Sequence, residues 1–202
     1  YVVTEFGPFG TWEVGKTPWG AALEQTSTEK AERYRANYLS SILGKKGGCI
    51  GGYVFLWGEK QEETPTWFGM YLNTGERTQT VETMAELWGG KVPNKAPRIL
   101  SGGLDSAGKV VAPGSRLTAK VDLMDPEGDR LQTRWQVRYE VSERRYAGEG
   151  ERTPAPATEA IWSTSKEFSF RAPRTKAAYR LYLTVLDGQG GAATANWPFK
   201  VD

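Results

Sequence analysis

The chain contains no histidine and a single cysteine, Cys49. Nucleophilic sites of the Ser-His-Asp or Cys-His kind are therefore excluded within it, as are zinc sites of the usual Cys/His type. An intrachain disulfide is impossible, so cysteine usage says nothing of the redox compartment. Any chemistry falls to carboxylates. The sharpest candidate is Glu5, in Tyr1-Val2-Val3-Thr4-Glu5-Phe6-Gly7-Pro8, where a short apolar run ends in a carboxylate, an aromatic and a Gly-Pro turn. A strand that buries Val2 and Val3 would present Glu5 at its tip as a catalytic acid. The competing reading is that the strand simply reaches water there, since glutamate is rarely buried without a partner. Glu59 follows a second apolar run and reads as a rim or ion-paired group. Asp122, Asp125, Asp129 and Asp187 offer oxygens that would suit a calcium ion. Aspartate also favours such turns by bonding its own backbone. That second reading is preferred, and neither a metal nor a cofactor is assigned.

The elements that must position these groups fall into two parts. A length of 202 residues suits one large domain or two ordinary ones. Hydrophobic content of 39% with 25% charged residues suits a soluble globular protein and excludes a disordered one. No apolar run is long enough to cross a bilayer. A net charge of +2 is too small to argue for nucleic acid. The first residue is Tyr1, without a methionine or signal peptide, which suggests a mature fragment. Two glycines and two prolines between Gly89 and Pro97 break regular structure and place a boundary there, giving parts 1–97 and 98–202.

In the first part, Gly7 to Gly20 is a loop carrying Phe9, Trp12 and Trp19. Thr26 followed three residues later by Glu29 has the form of a capping box and opens a helix to about Leu43. Cys49 to Trp57 is a β-rich apolar run, as in a strand buried on both faces. A loop through Trp67 and Phe68 leads to a helix over about Thr80 to Trp88, stopped by Gly89. The order strand, helix, strand, loop, helix predicts two βα units of a parallel sheet. The second part alternates with period two: Arg116 to Leu123, Leu131 to Val141, Phe168 and Phe170, Tyr179 to Val185, and Ala193 to Val201. With turns at Asp125–Asp129 and Asp187–Gly191, it predicts an antiparallel sandwich of immunoglobulin-like type with Trp135 in its core. The polar stretch from Arg144 to Pro156 reads as a long loop.

Thr4-Glu5-Phe6-Gly7, followed by Gly52-Tyr53-Val54-Phe55-Leu56-Trp57-Gly58, resembles strands seven and eight of the clan A retaining glycoside hydrolases, family-two-like barrels in particular. The resemblance covers roughly residues 1–90. It implies an α/β plus all-β chain: the closing βα units of a (β/α)8 barrel, partial in this chain, followed by an immunoglobulin-like β-sandwich. It also implies that Glu5 is the nucleophile and that Trp57 stacks on the sugar. The family's Asn-Glu acid/base pair has no counterpart here, and retaining hydrolysis needs two carboxyls. The second part resembles cadherin-like and polycystic-kidney-type modules through Val121–Asp129 and Val185–Gly188.

Two functions follow as expectations. One is part of a secreted, periplasmic or cell-surface retaining glycosidase or transglycosylase acting on a polysaccharide or oligosaccharide, with the cleft walled by Trp57, Trp12, Trp19, Trp67 and Phe68. It is catalytically incomplete as this chain alone, and a separate chain would supply the missing N-terminal barrel segment. The other is a non-catalytic carbohydrate-binding or surface-accessory module that uses the same aromatics as a platform.

Overall fold

The computed structural model describes residues 1–45, 47–141 and 151–202. Much of the loop expected from Arg144 to Pro156, with Arg144 and Arg145, lies outside the described residues. Among the described residues there are two α-helices, α1 (Ser27–Ser41) and α2 (Gln79–Leu87), and strands make up most of the other regular structure. Neither helix is long and apolar enough to cross a membrane.

Strand β1 (Val3–Phe6) pairs in parallel with β2 (Gly52–Val54) as a two-stranded sheet, with α1 in the connection between them. Helix α1 begins as its sequence dictates. The Thr26 side chain accepts from the Glu29 N–H at 3.2 Å, and the Glu29 carboxylate accepts from the Thr26 N–H at 2.7 Å, satisfying two orphan donors of the first turn. Tyr34 on α1, Met84 on α2 and Met70 between the elements form a small core, and Phe6 and Val54 pack against it from the sheet.

The next strand, β3 (Arg77–Thr78), does not extend that sheet. It pairs in parallel with β11 (Gly191–Val201), in register Arg77 with Gly191. The second part supplies β4 (Arg98–Leu104), β5 (Val110–Val111), β6 (Arg116–Met124), β7 (Gln132–Tyr139), β8 (Ile161–Ser163), β9 (Glu167–Arg171) and β10 (Ala177–Leu186). One sheet has the order β4-β6-β9. The other runs β3-β11-β10-β7-β8, with β5 also on β11. The two sheets face each other across one core. Leu117, Ala119, Val121 and Leu123 enter it from β6; Trp135 and Val137 enter from β7; Tyr179, Leu181, Leu183 and Val185 enter from β10. On β6 this is the period-two pattern acting: one face is apolar and the other turns toward water; on β10 the other face is covered too, with Arg180 buried in it. Trp135 stacks on Phe168 with ring centroids 5.3 Å apart, and its indole N–H donates to Thr133 Oγ1 at 3.1 Å.

The expectation of an α/β plus all-β chain is overturned. Among the described residues, β1 and β2 are the whole of their sheet, β3 leaves for the sandwich, and nothing builds successive βα units of a barrel. The resemblance to a glycoside hydrolase barrel falls with it, and with that the hydrolase and glycosidase reading. The described residues form a mostly-β protein in three sheets. The apolar run Cys49–Trp57 also differs from expectation. It is not a strand buried on both faces: only three residues form β2, Ile50 is 88% and Tyr53 68% exposed, and the chain bends at Phe55. Val2 is likewise exposed.

A buried polar network crosses between the first part and the sandwich. The Glu24 carboxylate pairs with Lys30, accepts from the Thr64 and Thr66 hydroxyls, and accepts from the Asn196 amide on β11. Arg180 on β10, fully buried, donates to Glu140 at 3.0 Å, to Asn196 Oδ1 at 2.6 Å and to the Ala22 carbonyl at 3.0 Å. Ser27 accepts from the Thr194 N–H at 2.9 Å and Thr28 from the Ile99 N–H at 3.0 Å.

Candidate ligand-binding cleft

Beyond the tip of β1 the chain turns back on itself. The Glu13 N–H donates to the Gly10 carbonyl at 2.9 Å and the Gly10 N–H donates to Glu13 Oε2 at 2.7 Å, closing a tight turn. Trp12 stands on that turn, 72% exposed. Its indole rests directly over Gly10: a Cβ there would lie 2.6 Å from the ring. The bare backbone of Gly10 admits the ring in this position; a side chain there would displace it.

The turn, the end of β1 and the bend after β2 enclose an open cleft of about 320 Å³. Trp12, Phe55 and Phe68 supply its apolar wall, and Glu5, Glu13 and Glu62 supply carboxylates. Phe55 meets Phe68 edge to face at 4.9 Å. Lys60, also at the cleft, pairs with Glu62 at 2.7 Å and lies 5.8 Å from the Phe55 ring centre. Three carboxylates against one ammonium leave the opening negative. Aromatic rings beside a few polar groups are the usual make-up of a small-ligand site.

The structure distributes the sequence candidates unevenly. Glu5, Trp12 and Phe68 line the cleft. Trp57 does not; the bend at Phe55 carries it away to sit 5.9 Å from Trp88 and 6.3 Å from Tyr71, a second exposed aromatic group. Trp67 is buried, its N–H donating to the Phe9 carbonyl at 2.8 Å, and packs in a core with Ala22. A ligand does not reach it. Trp19 is half-buried and outside the cleft lining. Glu59 is exposed; burial of its surroundings pushes its carboxyl up, and Arg138 opposes that. Sequence reasoning missed Phe55, Glu13, Lys60 and Glu62. Glu13 had a readable signal, since a carboxylate three residues after Gly10 can close a turn on it. Phe55 was hidden because it and Trp57 share strand parity, and nothing in the sequence marked where the strand stops.

Of the four aspartates weighed for calcium, three come together: Asp125, Asp129 and Asp187 offer oxygens within 4.8 Å of one another. Asp122 is elsewhere, 3.4 Å from Lys166. Two of the three serve the turns. Asp125 Oδ1 accepts from the Asp129 N–H at 2.9 Å, and Asp187 Oδ1 accepts from the Gln189 and Gly191 N–H groups at 2.6 and 2.8 Å. Loss of water and the charges of Asp125, Asp187 and Glu127 push the Asp129 carboxyl up.

No protein-family model matches the chain, and no curated protein matches it. Among solved structures it is similar to the PmoD soluble domain of a Methylocystis species, at 15% identity and TM-score 0.30, over 46% of this chain and 77% of that one. It is also similar to the PKD domain of an M14-like peptidase from a Thermoplasmatales archaeon, at 15% identity and TM-score 0.30, over 55% of this chain and 98% of that one. At that level neither bears on what this chain does.

Proposed function

We propose that the chain is a non-catalytic carbohydrate-binding module, secreted or held at a cell surface, and that the cleft beyond β1 is its binding site. The observation that carries this reading is Trp12: a large, exposed aromatic lying over Gly10, on the wall of a cleft edged with carboxylates. A sugar ring has an apolar C–H face and a rim of hydroxyls. An indole with its outer face free takes the first, and carboxylates accept hydrogen bonds from the second. Phe55 and Phe68 extend the apolar side. Glu5 acts here as a hydroxyl acceptor, with no catalytic role.

The test is calorimetric titration of the full chain with neutral oligosaccharides of several linkages. Trp12→Ala is expected to weaken binding by about tenfold, of the order of a moderate hot spot. Trp57→Ala, outside the cleft, should leave it unchanged. No binding by any oligosaccharide, or equal loss in both variants, removes the reading.

A further inference from the structure

We propose that Lys30 on α1 and Asn196 on β11 join covalently, the amine of the first displacing ammonia from the carboxamide of the second, with Glu24 carrying the protons. The bond is independent of the carbohydrate reading. A simple ion pair accounts for a lysine beside a glutamate, but not for the other two members of the group. Glu24 Oε1 accepts from Lys30 Nζ, and Glu24 Oε2 accepts from Asn196 Nδ2 at 2.5 Å, so one carboxylate holds the amine and the carboxamide side by side. The oxygen of that carboxamide meets Arg180, whose Nη1 donates to Asn196 Oδ1 at 2.6 Å. Water is shut out. The Lys30 and Glu24 side chains are 4% and 1% exposed, and Arg180 and Asn196 are buried.

Each group suits a step. Burial pulls the Lys30 amine below its ordinary range, against the opposing pull of Glu24, and a desolvated lysine amine is a nucleophile. The Thr66 carbonyl, which accepts from Nζ at 2.6 Å, fixes it in place. A near-attack position lies about 3–3.5 Å from Asn196 Cγ, and sharing Glu24 with Nδ2 keeps the amine in that neighbourhood. The Lys30 ammonium passes one proton to Glu24. The freed electron pair bonds to Asn196 Cγ, and the carbonyl pair moves onto Oδ1. Arg180 stabilises the charge that develops there. Held in turn by Glu140 and the Ala22 carbonyl, its guanidinium is already in position. When the carbonyl re-forms, the Cγ–Nδ2 bond breaks, Glu24 gives its proton to Nδ2 and ammonia leaves. Glu24 then takes the surplus proton from Nζ. In sum, an ammonium, a carboxylate and a carboxamide give an amide, a carboxylic acid and ammonia, with no oxidant and no added group. A buried ion pair is exchanged for neutral groups, which removes the cost of keeping charge out of water. Until the bond forms, the pair is ionic and the two parts are held non-covalently. Once formed, it closes a loop from α1 to β11 as a disulfide would, in a chain whose single cysteine cannot make one.

The test is the intact mass of the folded full chain, measured after denaturation and followed by peptide mapping. The chain is expected to be lighter by one ammonia than its sequence requires. The peptides holding Lys30 and Asn196 should be joined, with no cleavage by trypsin after Lys30. Glu24→Gln, which keeps the shape of the side chain and removes its proton transfer, should restore the full mass in a variant whose circular dichroism matches the parent's. A full mass for the unaltered chain overturns the proposal, and so does loss of ammonia with the two peptides separate. Loss of one water instead places the bond on Glu24 and overturns it equally. Joined peptides in Glu24→Gln would remove the carboxylate from the reaction and overturn it as stated.

Discussion

At the scale of single residues, the arrangement turns on what a glycine lets its neighbour do. Gly10 has no Cβ, and the Trp12 ring occupies the space where one would be. Gly10→Ala places a methyl group 2.6 Å from ring atoms, so the ring must lift away. If the cleft binds sugar, this variant should lose affinity much as Trp12→Ala does while its thermal stability changes little, because the ring is a surface group. Calorimetric titration alongside a melting curve checks both. A variant that keeps full affinity would show that the seating of Trp12 is incidental. Gly102 plays a comparable role in the scaffold. At φ +115° in β4, a Cβ there would meet the Lys120 carbonyl oxygen at 2.2 Å, which ties glycine to the irregular register between Ile99 and Ser101.

Among the elements, what was legible in the sequence depended on how many environments a residue had to choose between. The strands β6, β7 and β10 were readable because one face of each carries apolar residues to the sandwich core, and the alternation records that directly; it did not show that the other face of β10 is covered too, with Arg180 buried in it. Helix α1 was readable from its cap. Thr26→Ala, which removes the hydroxyl that accepts from the Glu29 N–H and leaves the reciprocal backbone bond in place, is expected to destabilise the protein by about 1 kcal/mol, measured by urea unfolding. A change below the error of that measurement would mean that packing on β11 alone holds the helix start. The β1–β2 pair was misread for a physical reason. An apolar run marks burial, but it does not say whether this chain provides the cover. Val2, Ile50 and Tyr53 have the composition of interior residues and stand in the open. Strand β3 was invisible, since two residues, Arg77 and Thr78, carry no period to detect. For the cleft, Glu5, Trp12 and Phe68 were legible as residue types at element ends. The displacement of Trp57 and the burial of Trp67 were not, because both depend on where the chain bends.

For the molecule as a whole, the network around Glu24 and Arg180 decides whether the two parts behave as one. The side chains of Glu24 and Lys30 are both buried. Burial pushes the Glu24 carboxyl up, but Lys30, Thr64 and Asn196 together outweigh it and hold the group below its ordinary range. A carboxyl depressed in the folded state stabilises it above the unfolded pKa, and that contribution is lost as pH falls through the lower folded value. Stability measured across acidic pH should therefore decline in that window, and Glu24→Gln should flatten the decline. Lys30→Met strands a buried carboxylate and is expected to cost about 3–5 kcal/mol, with helix and strand signals lost in a single transition. Two separate transitions would show that the network does not couple the parts.

Trp12 stands in water while Trp67 and Trp135 are sealed in separate cores. Light emission from this protein therefore carries two messages at once. A collisional quencher such as iodide reaches Trp12 together with the exposed Trp57, Trp88 and Trp162 and spares the sealed pair. The part of the quenchable emission that Trp12→Ala removes reports shielding by an occupant of the cleft, separately from the wetting of the sealed pair when the chain comes apart.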